Sequence, residues 1–210
     1  LATDPWISGS AYFGSWTLNH EIPAEQLEAI KNCEYIWVSH GHPDHLSIPS
    51  LNLLKDKKIL LADHVGGRIA KDLRGLGFHV TVLRDREWTN LSPRINVVCI
   101  SDYNQDSLLL VDVGGSLLVN LNDMTAKGWG PFVQRTIRRY KNSFLLQGFG
   151  FGDADMINFV DEAGNRIDPP GYTHDLIGRV ISRVAHTYGV THAIPFSSLH
   201  KYQRADSVWA

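Results

Sequence analysis

The stretch Val38-Ser39-His40-Gly41-His42-Pro43-Asp44-His45-Leu46-Ser47 places three histidines and an aspartate within six residues, directly after the apolar run Tyr35-Ile36-Trp37-Val38. Histidine is a poor turn-former, whereas Gly41 and Pro43 supply the sharp backbone that such a loop needs. Neutral imidazole is the commonest protein ligand for divalent transition metals. A strand that ends and at once presents His-x-His-x-Asp-His can aim its donors at two neighbouring points in space. We therefore read this loop as a metal site, with His40, His42, Asp44 and His45 as ligands.

Composition bounds the setting. A chain of 210 residues suits one domain with a real core, and 43% hydrophobic with 20% charged residues is a globular composition. A net charge of −2 argues against broad nucleic-acid or anionic-membrane binding, which favours a basic face. No apolar run approaches the length of a membrane span, and nothing at the N-terminus reads as a signal peptide. The expected partner is a small-molecule substrate. Cys33 and Cys99 are too few and too isolated for a metal knuckle or a disulfide framework, so both are read as buried thiols and the cytoplasm is the default compartment.

Strand, loop and helix alternate along the chain. Pro23 to Asn32 reads as a short helix with Pro23 near its first turn. Tyr35 to Val38 is a strand feeding the histidine loop, and Ser47 can cap a helix to about Lys55. Ile59 to Ala62 and His79 to Leu83 read as strands, flanking a helix from Val65 to Leu73. A β-rich block follows: Ile95 to Ile100, then Ser107 to Val113, turned by Gly114-Gly115 into Ser116 to Leu121. Pro131 to Tyr140 is helical and Phe144 to Leu146 a strand. Thr173 to Tyr188 has the clearest helical periodicity, with Thr173 as cap and Gly189 as stop. Val190 to Pro195 is the last strand. Of the other histidines, His20, His64 and His79 have no partner at useful spacing and His192 lies within a strand, so these read as structural. His174 and His186 lie on the long helix, where solvated or capping roles are commoner. The glycine-dense run Gln147 to Asp153 reads as a close-approach or plain flexible loop, and Arg135, Arg138, Arg139 and Lys141 as a solvated helix face or an anion-binding rim.

The histidine loop resembles the His-x-His-x-Asp-His signature of the metallo-β-lactamase superfamily, a group of mostly hydrolytic metalloenzymes. Asp4-Pro5-Trp6, the segment Ile36 to Ser50, and Val119-Asn120-Leu121-Asn122-Asp123 further resemble the metallo-β-lactamase-like domain of CMP-N-acetylneuraminate hydroxylase and its bacterial relatives. The resemblance implies an α/β fold, the αββα sandwich: two mixed sheets packed face to face with helices outside, over residues 1–210 as a single domain. Relatives carry further strands before the Asp4-Pro5-Trp6 position, so we expect the chain to be a portion of a longer protein.

The resemblance also implies the remaining ligands. Asp123, just past the Ser116 to Leu121 strand, falls where the family carries an aspartate bridging two metals; a turn aspartate is the plainer alternative. His200 follows the final strand, where the family places its last metal histidine. The third histidine of the first site is missing, since Ser101 to Ser107 contains none. Counting back from Asp106-Ser107 puts Asp102 at that place, with Asn104 and Asp106 as alternatives if the loop carries an insertion. A carboxylate there hardens the site and moves its preference from zinc toward iron or manganese, or leaves the first site weak.

The leading expectation is a metal-dependent hydrolase holding one or two divalent ions. His40, His42 and Asp102 would hold the first and Asp44, His45 and His200 the second, with Asp123 bridging and Asp44 as the candidate catalytic carboxylate. A water held between metals about 3.5–4 Å apart would attack an ester, amide or phosphoester. The first alternative is a non-haem iron oxygenase component; the related hydroxylase also carries a Rieske cluster, whose paired cysteine and histidine ligands Cys33 and Cys99 do not provide. The second is a binding module with a degenerate metal site.

Overall fold

The apolar strands alternate strictly in what their side chains meet, and that alternation builds the molecule. The computed structural model describes residues 1–124, 129–148, 158–168, 174–197 and 199–208. Strand β1 (Ala2–Thr3) is followed by β2 (Trp16–Leu18), helix α1 (Ala24–Lys31), β3 (Tyr35–Val38), α2 (Ile48–Leu53), β4 (Lys58–Ala62), α3 (Arg68–Gly75) and β5 (His79–Leu83). In the second half come β6 (Thr89–Ser92), β7 (Ile95–Ser101), β8 (Ser107–Val113), β9 (Ser116–Asn122), α4 (Gly130–Ile137), β10 (Asn142–Gly148), β11 (Phe159–Val160), β12 (Arg166–Ile167), α5 (His174–Tyr188), β13 (His192–Phe196) and β14 (His200–Tyr202).

One sheet has four strands in the order β1-β3-β4-β5 and the other six in the order β13-β10-β9-β8-β7-β6. Successive strand residues point to opposite faces. In the first sheet Ile36, Val38, Ile59 and Leu61 pack under Leu51, Ala70 and Leu73 of α2 and α3. Their neighbours Trp37, Leu60 and Ala62 face the other way, onto Val97, Cys99, Leu109 and Val111 of β7 and β8. On the far side of the second sheet Val98, Ile100, Leu108, Leu110, Val119 and Leu145 pack under Val133 and Ile137 of α4 and Tyr188 of α5. The order is helices, sheet, sheet, helices: the αββα sandwich. Strands covered on both faces read as continuous apolar runs, which is why β3, β4, β7 and β8 are legible in sequence.

The first sheet is wholly parallel, not mixed. A helix carries the chain back after β3 and after β4, and such crossovers leave consecutive strands parallel. The second sheet is mixed: β9, β10 and β13 run parallel, and the hairpins from β6 to β9 are antiparallel. Gly114 and Gly115, with φ of +56° and +90°, make the tight turn between β8 and β9. The single helix expected from Val65 to Leu73 is broken: Gly66 and Gly67 take positive φ, leaving a 3₁₀ turn at Val65–Gly67 before α3. Thr173 and most of the glycine-dense loop, residues 149–153, lie outside the described residues. No helix among the described residues is long and apolar enough to cross a membrane.

Candidate metal centre

The centre forms where several strand ends meet at one edge of the sandwich. Strand β3 runs straight into Ser39 and His40, whose residue exposures are only 0% and 3%. The Ser39 carbonyl accepts hydrogen bonds from His64 Nε2 (3.0 Å) and Ser107 Oγ (2.5 Å), fixing the peptide that carries His40. His42 O then accepts from the backbone N–H groups of His45 (3.0 Å) and Leu46 (2.7 Å), so the loop curls back and brings its imidazoles together.

Asp4 is the hub. Its backbone is held beside β3 by Asp4 N–H donating to Trp37 O at 2.8 Å. Its Oδ1 accepts from Ser39 N–H (2.7 Å), and its Oδ2 accepts from Ser39 Oγ (2.7 Å) and Asn122 Nδ2 (2.8 Å) and lies 3.0 Å from His45 Nδ1. With Nδ1 engaged, His45 directs Nε2 to Asp44 Oδ2 (3.2 Å) and Asp123 Oδ2 (3.3 Å). A carboxylate behind a histidine in this way fixes the tautomer and ring orientation of a metal ligand. His40 is oriented likewise, with Nδ1 2.9 Å from Ser39 Oγ. Its Nε2 faces His42 Nδ1 (2.7 Å), Asp123 Oδ2 (3.7 Å) and Asp106 Oδ1 (3.8 Å). Donor atoms of His40, His42 and Asp123 all lie within 4.8 Å of one another.

The residue opposite His40 on the β7–β8 loop is therefore Asp106. Asp102 turns its Oδ1 to the N–H groups of Asn104 (2.8 Å) and Asp106 (3.2 Å), shaping the loop that delivers Asp106. His200, on β14, stacks on Trp16 with ring centroids 3.8 Å apart and feels the charge of Asp44. Its Nε2 is buried and has no hydrogen-bond partner among the described residues. A buried imidazole nitrogen without a partner is costly unless something else binds it.

The electrostatics fit a cation. Burial, followed by the neighbouring His45, pulls His40 down to about 4, so its ring is neutral and a competent donor. Burial opposes charge on His45 too, but the carboxylates of Asp123, Asp4 and Asp44 together overcome it and push it up to about 12. Burial raises Asp106, and the negative charges of Asp102 and Asp123 raise it further. Crowded carboxylates and imidazoles of this kind are what a bound cation relieves. Among the described residues the donor atoms of His40, His42 and Asp123 are grouped closely enough to hold a cation, with the carboxylates of Asp106 and Asp44 and the His45 ring beside them. Asp4, Tyr12 and the supporting role of His64 escape sequence reasoning; Asp4 belongs to a segment similar to relatives, but its contacts are far away in the chain. Arg135, Arg138, Arg139 and Lys141 are all exposed.

Two facing sheets, helices outside and donors at one edge define the metallo-β-lactamase fold, and solved structures agree. The chain is similar to isothiocyanate hydrolase from Delia radicum gut bacteria, with a TM-score of 0.57 and 15% identity over 91% of this chain and 76% of that one. It is also similar to CmlA, a diiron β-hydroxylase from Streptomyces venezuelae, with a TM-score of 0.56 and 15% identity over 96% of this chain and 50% of that one. No family model matches the chain. Among curated proteins it is 28% identical over 131 residues to cytidine monophosphate-N-acetylneuraminic acid hydroxylase from Danio rerio, a match covering 58% of this chain. The match spans 22% of that relative's length. These relatives are enzymes.

Proposed function

We propose that the chain is the metal-bearing domain of a non-haem diiron hydroxylase acting on a small, anionic molecule. The observation that carries this reading is Asp106 at 3.8 Å from His40 Nε2, a carboxylate where the related hydrolases are expected to place a third histidine. With Asp44 and Asp123 it makes the donor set rich in oxygen, which favours iron or manganese over zinc. The names of the Danio rerio hydroxylase and of CmlA support the same reading.

Bound iron would supply activation of dioxygen, one atom entering a C–H bond and the other leaving as water at the cost of two electrons and two protons. The protein's own contribution is placement. Asp4 orients His45, Ser39 orients His40, and Asp123 stands between the two histidines at 3.3 and 3.7 Å. The exposed His42 and Asp123 mark the side from which substrate arrives. Cys33 and Cys99 are both free, and electrons would come from a redox centre outside residues 1–210.

Hydrolysis is the second reading, favoured by the similarity to isothiocyanate hydrolase and by needing no electron donor. The reactivity of each metal form separates the two. Metal-free protein loaded with Fe(II) alone without oxygen should take up two iron ions, and oxygen should then convert them to an oxidised coupled pair seen by Mössbauer spectroscopy. An iron form inert to oxygen, with hydrolysis of a chromogenic ester by the zinc form, would overturn the hydroxylase reading.

A further inference from the structure

Tyr12 lies in a 3₁₀ turn, Tyr12–Gly14, closed by paired backbone hydrogen bonds between Ala11 and Trp16 at 3.0 and 3.2 Å. Tyr12 and Phe13 have φ of +50° and +56°, a conformation rare for bulky L-residues. Such strain persists only where the surroundings fix it. Burial of Phe13 is not the reason, because that ring is fully exposed at the tip of the turn. What the turn delivers inward is the Tyr12 phenol. Its O–H donates to Asp44 Oδ1 at 2.8 Å, while Asp44 Oδ2 lies 3.2 Å from His45 Nε2. The Tyr12 ring packs edge-on against Trp16 with centroids 4.5 Å apart, and Trp16 in turn stacks on His200. One aromatic stack therefore links Asp44 and His200, two donors assigned to the same side of the centre.

We propose that Tyr12 is a positioning residue of the metal centre, occupying Asp44 Oδ1 so that only Oδ2 is offered to an ion. This rests on the metal-centre reading above and is independent of whether the chemistry is oxidation or hydrolysis. An aspartate with both oxygens available can chelate an ion and fill a coordination position. Catalytic sites keep such a position open for water or substrate. The phenol, a neutral donor, restricts Asp44 to one oxygen without cancelling its charge.

Co(II) is a suitable probe, because its visible bands weaken as coordination number rises. The full chain, Tyr12→Phe and Phe13→Ser would each be titrated with Co(II) alone, with affinity measured against a chelator and folding checked by circular dichroism. The parent should bind two ions. Tyr12→Phe should weaken one of them by about 10–100-fold, the range for a residue supporting a ligand, and dim its bands. Phe13→Ser, which keeps the hydroxyl, should match the parent in both. The proposal is overturned if Tyr12→Phe keeps the parent's affinities and spectrum. It is equally overturned if Phe13→Ser shows the same loss, since the turn and not the hydroxyl would then matter. A parent that binds no ion fails before any substitution and overturns the metal-centre reading itself.

Discussion

On the proposed reading, Asp106 is the side chain that tips which ion the centre prefers. Asp106→His should retain metal and shift its competition toward zinc, because imidazole is the softer donor. Asp106→Ala should weaken the first metal by more than the roughly 10–100-fold of a supporting residue, and spare the second. Asp102→Ala should have the smaller effect, since it acts only through the loop; metal content of the purified variants checks all three. His64 gives a pH test. Burial holds its imidazole below the usual 6.5, so the unfolded chain takes up a proton that the folded protein resists. Its contribution to stability is full above about 6.5 and fades as pH falls toward the lowered value. Urea unfolding should therefore show a smaller loss on acidification for His64→Gln than for the parent. At this scale the sequence announces His40, His42, Asp44 and His45 because they are dense and contiguous. It does not distinguish Asp102 from Asp106: their roles depend on a side-chain-to-backbone turn that counting along a loop does not reveal. Asp4 is hidden for a similar reason, its partners being residues 39, 45 and 122.

Elements were legible where an apolar or β-branched run was long enough to show a pattern. The bounds of β3, β5 and β8 match the sequence reading because each is an apolar or β-branched run ended by a turn. The short β1, β2, β6 and β14 have two to four residues each and no room for a period. The sequence reading places no strand between Leu83 and Ile95, yet β6 forms there by pairing with β7. Tertiary pairing outweighs weak local preference in such cases. Helix α2 does more than cover its sheet. Ser47 caps it, and Ser50 Oγ accepts from the N–H groups of Ile7 (2.9 Å) and Ser8 (3.1 Å), pinning the segment that follows Asp4. Ser50→Ala leaves both donors without that acceptor in a site of 0% exposure. It should cost about 1–3 kcal/mol in chemical denaturation. Metal affinity should fall with it, because Asp4 loses its anchor.

Across the whole molecule, the donors come from both sheets. The histidine loop extends β3 of the parallel sheet, whereas Asp106 and Asp123 extend the hairpin strands of the mixed sheet. An ion held between them ties the two layers together at one edge, as Trp37, Leu60, Leu109 and Val111 do inside. Metal should therefore raise the melting temperature, by the equivalent of about 2.7 kcal/mol when free ion is 100-fold above its dissociation constant. A chelator should reverse the gain. Leu109→Ala, at a position of 0% exposure between the sheets, should cost roughly 2–5 kcal/mol while leaving metal preference unchanged. An unchanged melting temperature on loading would mean that the folded protein does not bind the ion in preference to the unfolded chain. The sandwich itself was expected from the resemblance that the histidine loop carries; the alternation of helices, apolar strands and one glycine hairpin suits it without singling it out.

Strand β14 reaches His200 by pairing with β2, and Gln203 Nε2 meets Thr17 Oγ1 across 186 positions of chain. Bringing such distant segments together carries a larger loop-closure entropy than any hairpin, and contacts of long sequence separation form slowly. Assembly is therefore ordered in time. The histidine loop and the β7–β9 hairpins can form while the chain is still being made, but His200 can join only after the intervening α4, β10, α5 and β13 have also emerged. Pulse-labelled hydrogen exchange during refolding should find the amides of Trp16–Leu18 and His200–Tyr202 protected after those of β7–β9. Of the candidate ligands, the one furthest along the sequence is also the last to arrive.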